Sequence, residues 1–326
     1  MLRKISLSLF LLVLSVSAFT QESRHFTFHY GFTVKNLPVG ERVRVWIPAA
    51  QSDAYQEVQV VSAHGDLPIK GNRESKYGNA IYFAETNRAT VSELHFDVEY
   101  DVTRHERRAL PASNVAYTGP RWPTRKEDLQ ADALVPITGL PAELAVKVTT
   151  GKGDPLDKAR AIYDYVFTTM KYDKTGTGWG HGDVLYACDA KKGNCTDFHS
   201  LFIAMARSQS IPARFEIGFP LPPDKHSAEI AGYHCWSDFY IDGMGWIPVD
   251  ISEAWKHPEK RDYFFGSHDV NRVQFTMGRD LKLSPSQDGK PLNYFVYPYV
   301  EVDGKEYGNV SVAFAFEDVA PTVAEN

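Results

Sequence analysis

Leu94, Phe96, Val98, Tyr100 and Val102 alternate with polar neighbours without a break. A period of two puts every second side chain on one face, so this run is a strand and not an amphipathic helix. Phe26, Phe28, Tyr30 and Phe32 repeat the pattern, as do Val43, Val45 and Ile47. Gly, Asn and Pro punctuate the runs. Short strands at this spacing predict a small β-sandwich domain over residues 21–104.

Beyond it the pattern changes. Residues 105–150 are rich in Pro and Arg, show little periodicity and read as a linker that wraps the next unit. Asp154-Pro155 is an N-cap followed by Pro at the first helical position. Leu156, Ala159, Ile162, Val166 and Met170 continue it as one apolar face. Residues 171–193 are Gly-rich and irregular. A second helix then starts at Cys195 after Gly193-Asn194, with Phe198, Leu201, Phe202 and Met205 at helical spacing, and ends near Ser208. Strands are expected over 213–219, 233–241 and 246–249. Asp242-Gly243-Met244-Gly245 joins the last two as a hairpin. Two further strand-like runs flank Asp303-Gly304. The expected division is a leader over 1–20, the β-sandwich over 21–104, the wrapping segment over 105–150, a core over 151–285 and a C-terminal β extension over 286–326.

The chain of 326 residues is long enough for about two domains. A net charge of −6 gives no basic footprint for nucleic acid. At the start, Arg3 and Lys4 precede an apolar run from Ile5 to Val16, then small residues Ser17, Ala18 and Thr20. This reads as a secretory signal peptide cleaved after Ala18 or Thr20. The alternative, a membrane anchor, needs roughly 20 apolar residues, and the run is nearer 12. The expectation is a periplasmic or secreted protein with no stable membrane insertion after cleavage. Three cysteines are present. An odd number in an exported protein flags a free thiol. If Cys195 is that thiol, Cys188 and Cys235 either pair or stay as two buried thiols.

Cys195 is in the first helical turn, where unpaired backbone N–H groups and the helix dipole favour thiolate and could hold an oxyanion. A lone Cys at such a place is more often a small buried hydrophobe, so the chemistry depends on a base. His234 on one hairpin strand and Asp250 at the end of the other supply a base and its orienting partner. Cys235 points to the opposite face from His234 and Trp236, as a core residue and not a second nucleophile.

These blocks resemble the core of the transglutaminase-like superfamily of cysteine enzymes. Gly193-Asn194-Cys195-Thr196-Asp197-Phe198 is similar to its Gly-x-Cys-x-Asp helix start. Ile211-Pro212-Ala213-Arg214, then Gly218, resembles its helix-to-strand passage. His234-Cys235-Trp236 and Gly245-Trp246-Ile247-Pro248-Val249-Asp250 resemble its His-x-Trp and Gly-Trp-x-x-x-Asp blocks. Papain-type proteases place their His roughly 130 residues after the Cys, which excludes them. The resemblance covers residues 150 to 255. It implies an α+β chain: a transglutaminase/papain-like core, with the Cys-bearing helix packed on an antiparallel sheet, preceded by the small β-sandwich.

The implied chemistry is acyl transfer by Cys195, His234 and Asp250, acting on a peptide or protein, with hydrolysis favoured. The alternatives are a protein-glutamine cross-linking transglutaminase and a non-catalytic binding module on the same fold. The family implies an aromatic second oxyanion donor, for which Trp179 and Tyr172 are candidates. Trp236 and His199 are candidate cleft residues. Asp197 reads as a carboxylate stabilising the first turn. Arg272 and Arg279 bind a substrate carboxylate or form structural ion pairs. No Ca-loop motif or Cys-x-x-Cys is present, and neither cofactor nor metal is expected.

Overall fold

The computed structural model describes residues 22–110 and 124–320. The leader expected over 1–20 lies outside the described residues. The strands are β1 (Ser23–Val34), β2 (Val43–Pro48), β3 (Gln56–Gly65), β4 (Lys70–Arg73), β5 (Ala80–Thr86) and β6 (Leu94–His105). After the helices come β7 (Ala213–Pro220), β8 (Ser227–Glu229), β9 (His234–Ile241), β10 (Gly245–Val249), β11 (Arg272–Met277), β12 (Tyr299–Val302), β13 (Lys305–Glu306) and β14 (Val310–Asp318). The helices are α1 (Leu140–Val148), α2 (Pro155–Thr169), α3 (Val184–Ala190), α4 (Cys195–Ser208) and α5 (Ile251–Lys256). None of the described helices is long and apolar enough to cross a membrane.

Two five-stranded antiparallel sheets make the sandwich, in the orders β8-β14-β1-β6-β3 and β13-β12-β2-β5-β4. The alternation explains the first. Leu94, Phe96, Val98, Tyr100 and Val102 are all buried, and Phe28 and Phe32 pair with Tyr100 and Phe96 across β1 and β6. Residues 286–326, read as a C-terminal β extension, supply strands to both sheets. β14 pairs with β1 from Phe26–Asp318 to Val34–Val310, and β12 pairs with β2. β8 leaves the core to pair with β14.

The core sheet is antiparallel, in the order β10-β9-β7-β11. α4 packs on β9 and β7, and α1, α2 and α3 pack around α4. Every α4 residue from Cys195 to Arg207 is buried, including Thr196, Asp197, His199, Ser200 and Arg207. Buried polar groups need partners, and several of theirs shape the site below. The sandwich and the core share one apolar interior. Phe28 meets Phe219 at 5.2 Å between ring centroids, and Tyr30 stacks on Phe275 at 5.4 Å.

Several elements were not read from the sequence, among them α1, α3 and β11. α1 lies in the segment expected to wrap, and its Pro141 sits in the first turn. α3 lies in the Gly-rich stretch and is capped by Asp183, which accepts from Leu185 N at 2.9 Å. β11 closes the edge of the core sheet beside β7.

Candidate active site

Local capping builds the start of α4. Asn194 Oδ1 accepts from Thr196 N at 2.9 Å, and Asn194 O accepts from Asp197 N and Phe198 N, both at 3.2 Å. These bonds occupy three of the first four helical N–H groups and leave that of Cys195. Asp197 completes a capping box by accepting from Asn194 N at 2.9 Å. It also accepts from Gly180 N at 2.7 Å and Gly182 N at 3.0 Å. One carboxylate therefore ties the preceding loop to the helix, beyond the first-turn role expected of it. Gly193 is required for this: at φ +157° a Cβ there would collide with the Asp197 side chain.

His234 opens β9, and Asp250 follows β10 as the N-cap of α5. His234 Nε2 donates to Asp250 Oδ2 at 2.7 Å. This leaves Nδ1 as the ring's other polar atom, and the ring hydrogen-bonds the Cys195 thiol. Gly218 stands opposite His234 in the register. A Cβ on Gly218 would strike Val273 O, so glycine lets β11 approach at this level. β11 brings Arg272, whose Nη1 donates to Asp250 Oδ2 at 3.0 Å. Ser252 Oγ and Glu253 N donate to Asp250 Oδ1 at 3.1 and 3.0 Å.

The electrostatics follow from these contacts. Burial raises the Asp250 carboxyl, but the charges of His234 and Arg272 outweigh it and hold it well below the usual carboxylate range. Burial lowers His234, yet Asp250 and the Cys195 thiolate carry it up to about 10. Burial also opposes ionisation of Cys195. Hydrogen bonds from Cys235 and His234, and the charge on His234, overcome it and bring the thiol well below its ordinary value. Together they stabilise a thiolate–imidazolium pair.

The remaining sequence candidates fall in different places. Tyr172 is half-buried, packs on Phe198 and Trp255, and feels the Cys195 charge. Trp179 donates its indole N–H to Gly176 O at 3.1 Å, within its own loop. Trp236 is fully buried behind the site, donates to Glu216 Oε2 at 2.7 Å and backs the His234 ring at 5.7 Å between centroids. His199 lies under the site, where its Nε2 accepts from Ile251 N at 3.0 Å. Arg272 and Arg279 are buried. Arg272 bridges Asp250 and Asp269, and Arg279 donates to Gly182 O at 3.0 Å and His181 O at 2.7 Å.

Sequence reasoning missed two neighbours. Tyr233 OH bonds Asn194 Nδ2 and Thr196 Oγ1, each at 2.9 Å, across the start of the helix. Its one sequence signal is adjacency to His234. Cys235 is buried, as expected of a core residue, but its thiol also reaches Cys195 and stands 3.6 Å from Thr196 Oγ1. All three cysteines are free thiols. Beside His234 lies a cavity of about 570 Å³, bordered by Tyr172, Leu221, Ile230, Tyr233 and Lys256. No cluster of three or more His, Cys, Asp or Glu suited to a metal occurs among the described residues.

Residues 142–251 match the family model of the transglutaminase-like superfamily. An uncharacterized protein of Haemophilus influenzae is 28% identical over 317 residues, covering 86% of this chain and 85% of its own. YebA of Bacillus subtilis, also uncharacterized, is 25% identical over 129 residues, or 35% of this chain and 18% of its own. Among solved structures, a candidate cysteine protease from Cytophaga hutchinsonii superposes with a TM-score of 0.56 at 17% identity, covering 92% of this chain and 93% of its own. That likeness is one of fold. The periplasmic domain of TgpA from Pseudomonas aeruginosa, bound to ethylmercury, gives a TM-score of 0.37 at 15% identity, over 73% of this chain and 93% of its own. The α+β arrangement expected from the sequence, a Cys-bearing helix on an antiparallel sheet behind a β-sandwich, is the one observed, and the part of the core from 142 to 251 is similar to the transglutaminase-like superfamily.

Proposed function

We propose that this chain is an exported cysteine enzyme that cleaves an amide or peptide bond through a thioester on Cys195. The observation that carries the reading is the line from the Cys195 thiol through His234 to Asp250, with the 2.7 Å His234–Asp250 bond at its buried end.

The Cys195 thiolate attacks the carbonyl carbon, and the carbonyl oxygen takes the negative charge. The Cys195 N–H, left over by the capping bonds, is the first donor to that oxyanion. Tyr172 is the better of the two aromatic candidates for the second, because Trp179 spends its N–H on Gly176 O. The His234 imidazolium gives its proton to the leaving amine as the C–N bond breaks. Neutral His234 then takes a proton from water while the oxygen attacks the thioester. The acid leaves and the thiolate returns. Asp250 stays ionised throughout and keeps the ring in one orientation. The leader read over residues 1–20 supports a periplasmic or secreted location.

Incubating the mature protein with a peptide library, with and without a primary amine, tests the proposal. New free carboxyl termini are expected in both arms. Amine-capped products in place of free acids would make it a cross-linking transferase. Identical products from wild type and Cys195→Ala would overturn the enzyme reading, since the chemistry would not pass through the thiol.

A further inference from the structure

The inward face of β6 carries Leu94, Phe96, Val98, Tyr100 and Val102, and the next position on that face is Arg104. It sits between Arg24 of β1 and Gln56 of β3 in the sheet and is 2% exposed. Its Nε and Nη1 have no hydrogen-bond partner among the described residues. A buried guanidinium with unmatched N–H groups is costly, and such groups mark a place for a ligand.

Arg104 faces a cavity of about 290 Å³ between the sandwich and the core sheet, whose walls also hold Arg107, Arg125, Arg214, Asp53 and Glu216. The other arginines have their own acceptors. Arg107 donates to both oxygens of Asp238 at 3.1 and 2.9 Å and to Trp246 O at 2.7 Å. Arg214 reaches Asp238 at 2.7 Å and Glu216 at 2.8 Å. Arg125 donates to Tyr77 O at 3.1 Å, with Asp128 near its charge. Burial weakens the hold of Arg104 on its proton. Asp53 and Glu216 act on it only through space, opposed by Arg272 and Arg107. His268 reports the same field: both its ring nitrogens lack partners among the described residues, and burial and these arginines keep it neutral.

We infer that this cavity is a second binding site, separate from the Cys195 cleft, and that its ligand is a carboxylate. A guanidinium fork matches a planar carboxylate with two parallel bonds. Four arginines meet four carboxyl groups, Asp53, Glu216, Asp238 and Asp128, but burial lifts Glu216 to about 7 and raises Asp128 as well, so the small positive excess suits a monoanion better than a phosphate dianion. The rings of Tyr55 and Tyr77, with Arg107 and Arg125 over their faces at 5.0 and 5.8 Å, give flat walls for a short carbon skeleton. The site does not depend on Cys195 being a nucleophile.

The test is thermal unfolding and calorimetric titration of the mature chain with N-acetylglycine, its neutral twin N-acetylglycinamide, acetate and inorganic phosphate. N-acetylglycine should raise Tm with concentration while the amide does not. Acetate matching it identifies a free small acid; a preference for N-acetylglycine identifies a peptide C-terminus; both support the site. Arg104→Met should abolish the response, and Arg125→Ala, at the rim, should weaken binding about tenfold. The site is overturned if the acid gives no shift, if acid and amide act alike, or if Arg104→Met responds as wild type. Stronger binding of phosphate overturns the carboxylate assignment. If Arg104→Met does not fold, unchanged affinity in Arg125→Ala overturns it.

Discussion

His199 Nε2 accepts the backbone N–H of Ile251 at 3.0 Å, so the histidine one turn below the Cys195 thiol holds the residue next to Asp250. The same nitrogen stands 3.6 Å from Asp250 Oδ1. A protonated ring could not accept this bond. His199 is thus a positioning residue that joins α4 to the start of α5, and it works only when neutral. Burial enforces that by lowering it to about 4.

A pH dependence of stability follows. His199 titrates near 6.5 when unfolded and at about 4 when folded. Between these values the unfolded chain binds more protons, so stability is complete above pH 6.5 and is lost as pH falls toward 4. The loss is on the order of 3 kcal/mol. His268 is lowered too and acts in the same direction. His199→Gln keeps an acceptor but removes the titration. Thermal melts should show a flatter dependence of Tm on pH in the variant; a slope equal to wild type would exclude this role.

Thiol labelling separates the three cysteines. Iodoacetamide below pH 7 should modify Cys195 first, because its thiol ionises well below the ordinary value. Burial pushes Cys188 up to about 11, and burial with the neighbouring thiolate holds Cys235 well above its ordinary value. Peptide mapping should find both unmodified under the same conditions. Early labelling at Cys188 would refute the thiolate–imidazolium pair.

Asp250→Asn should reduce kcat by about 10³–10⁴-fold, since the ring loses the partner that orients it. The same change strips Arg272 of one of its two acid partners. Removing one member of a buried pair costs about 3–5 kcal/mol, and Asp269 should hold the loss to the low end. Urea unfolding beside steady-state kinetics separates the two effects. A variant with normal kcat would remove Asp250 from the mechanism.

Gly193→Ala tests the helix start. The added methyl collides with the Asp197 side chain, so the cap must break or the loop must move. Loss of a cap costs about 0.5–2 kcal/mol. Cys195 should label more slowly at pH 6 as the first turn loosens. Unchanged stability together with unchanged labelling would mean the loop absorbs the methyl freely.

The elements legible in the sequence were those whose signals are local. The β6 alternation, Asp154-Pro155 before α2, Asn194 before α4 and the turn between β9 and β10 all lie where the pattern puts them. The order of Cys195, His234 and Asp250 also suffices to bring them onto one helix start and one hairpin. What escaped is short or long-range. α3 has 7 residues and α1 has 9, too few to display a period. β11 alternates, but Arg272, Gln274 and Thr276 on its polar side are buried, so no wet face sets it apart. Trp179 looked free to serve as an oxyanion donor because nothing in the sequence reveals its bond to Gly176 O. Nor does any local signal reveal that a strand near the C-terminus pairs with the first one.

That pairing gives the chain an order of assembly. β1 lies between β6 and β14, so a polypeptide emerging N-terminus first carries β1 with one bare edge until β14 arrives. Such an edge invites pairing with other chains. The last strand acts as a latch: Phe314 and Phe316 close over Tyr30, Phe219 and Phe26, roofing the interior that the sandwich shares with the core. Trimming at β14 would therefore unroof the core as well as the sandwich, although Cys195, His234 and Asp250 all precede it in the chain.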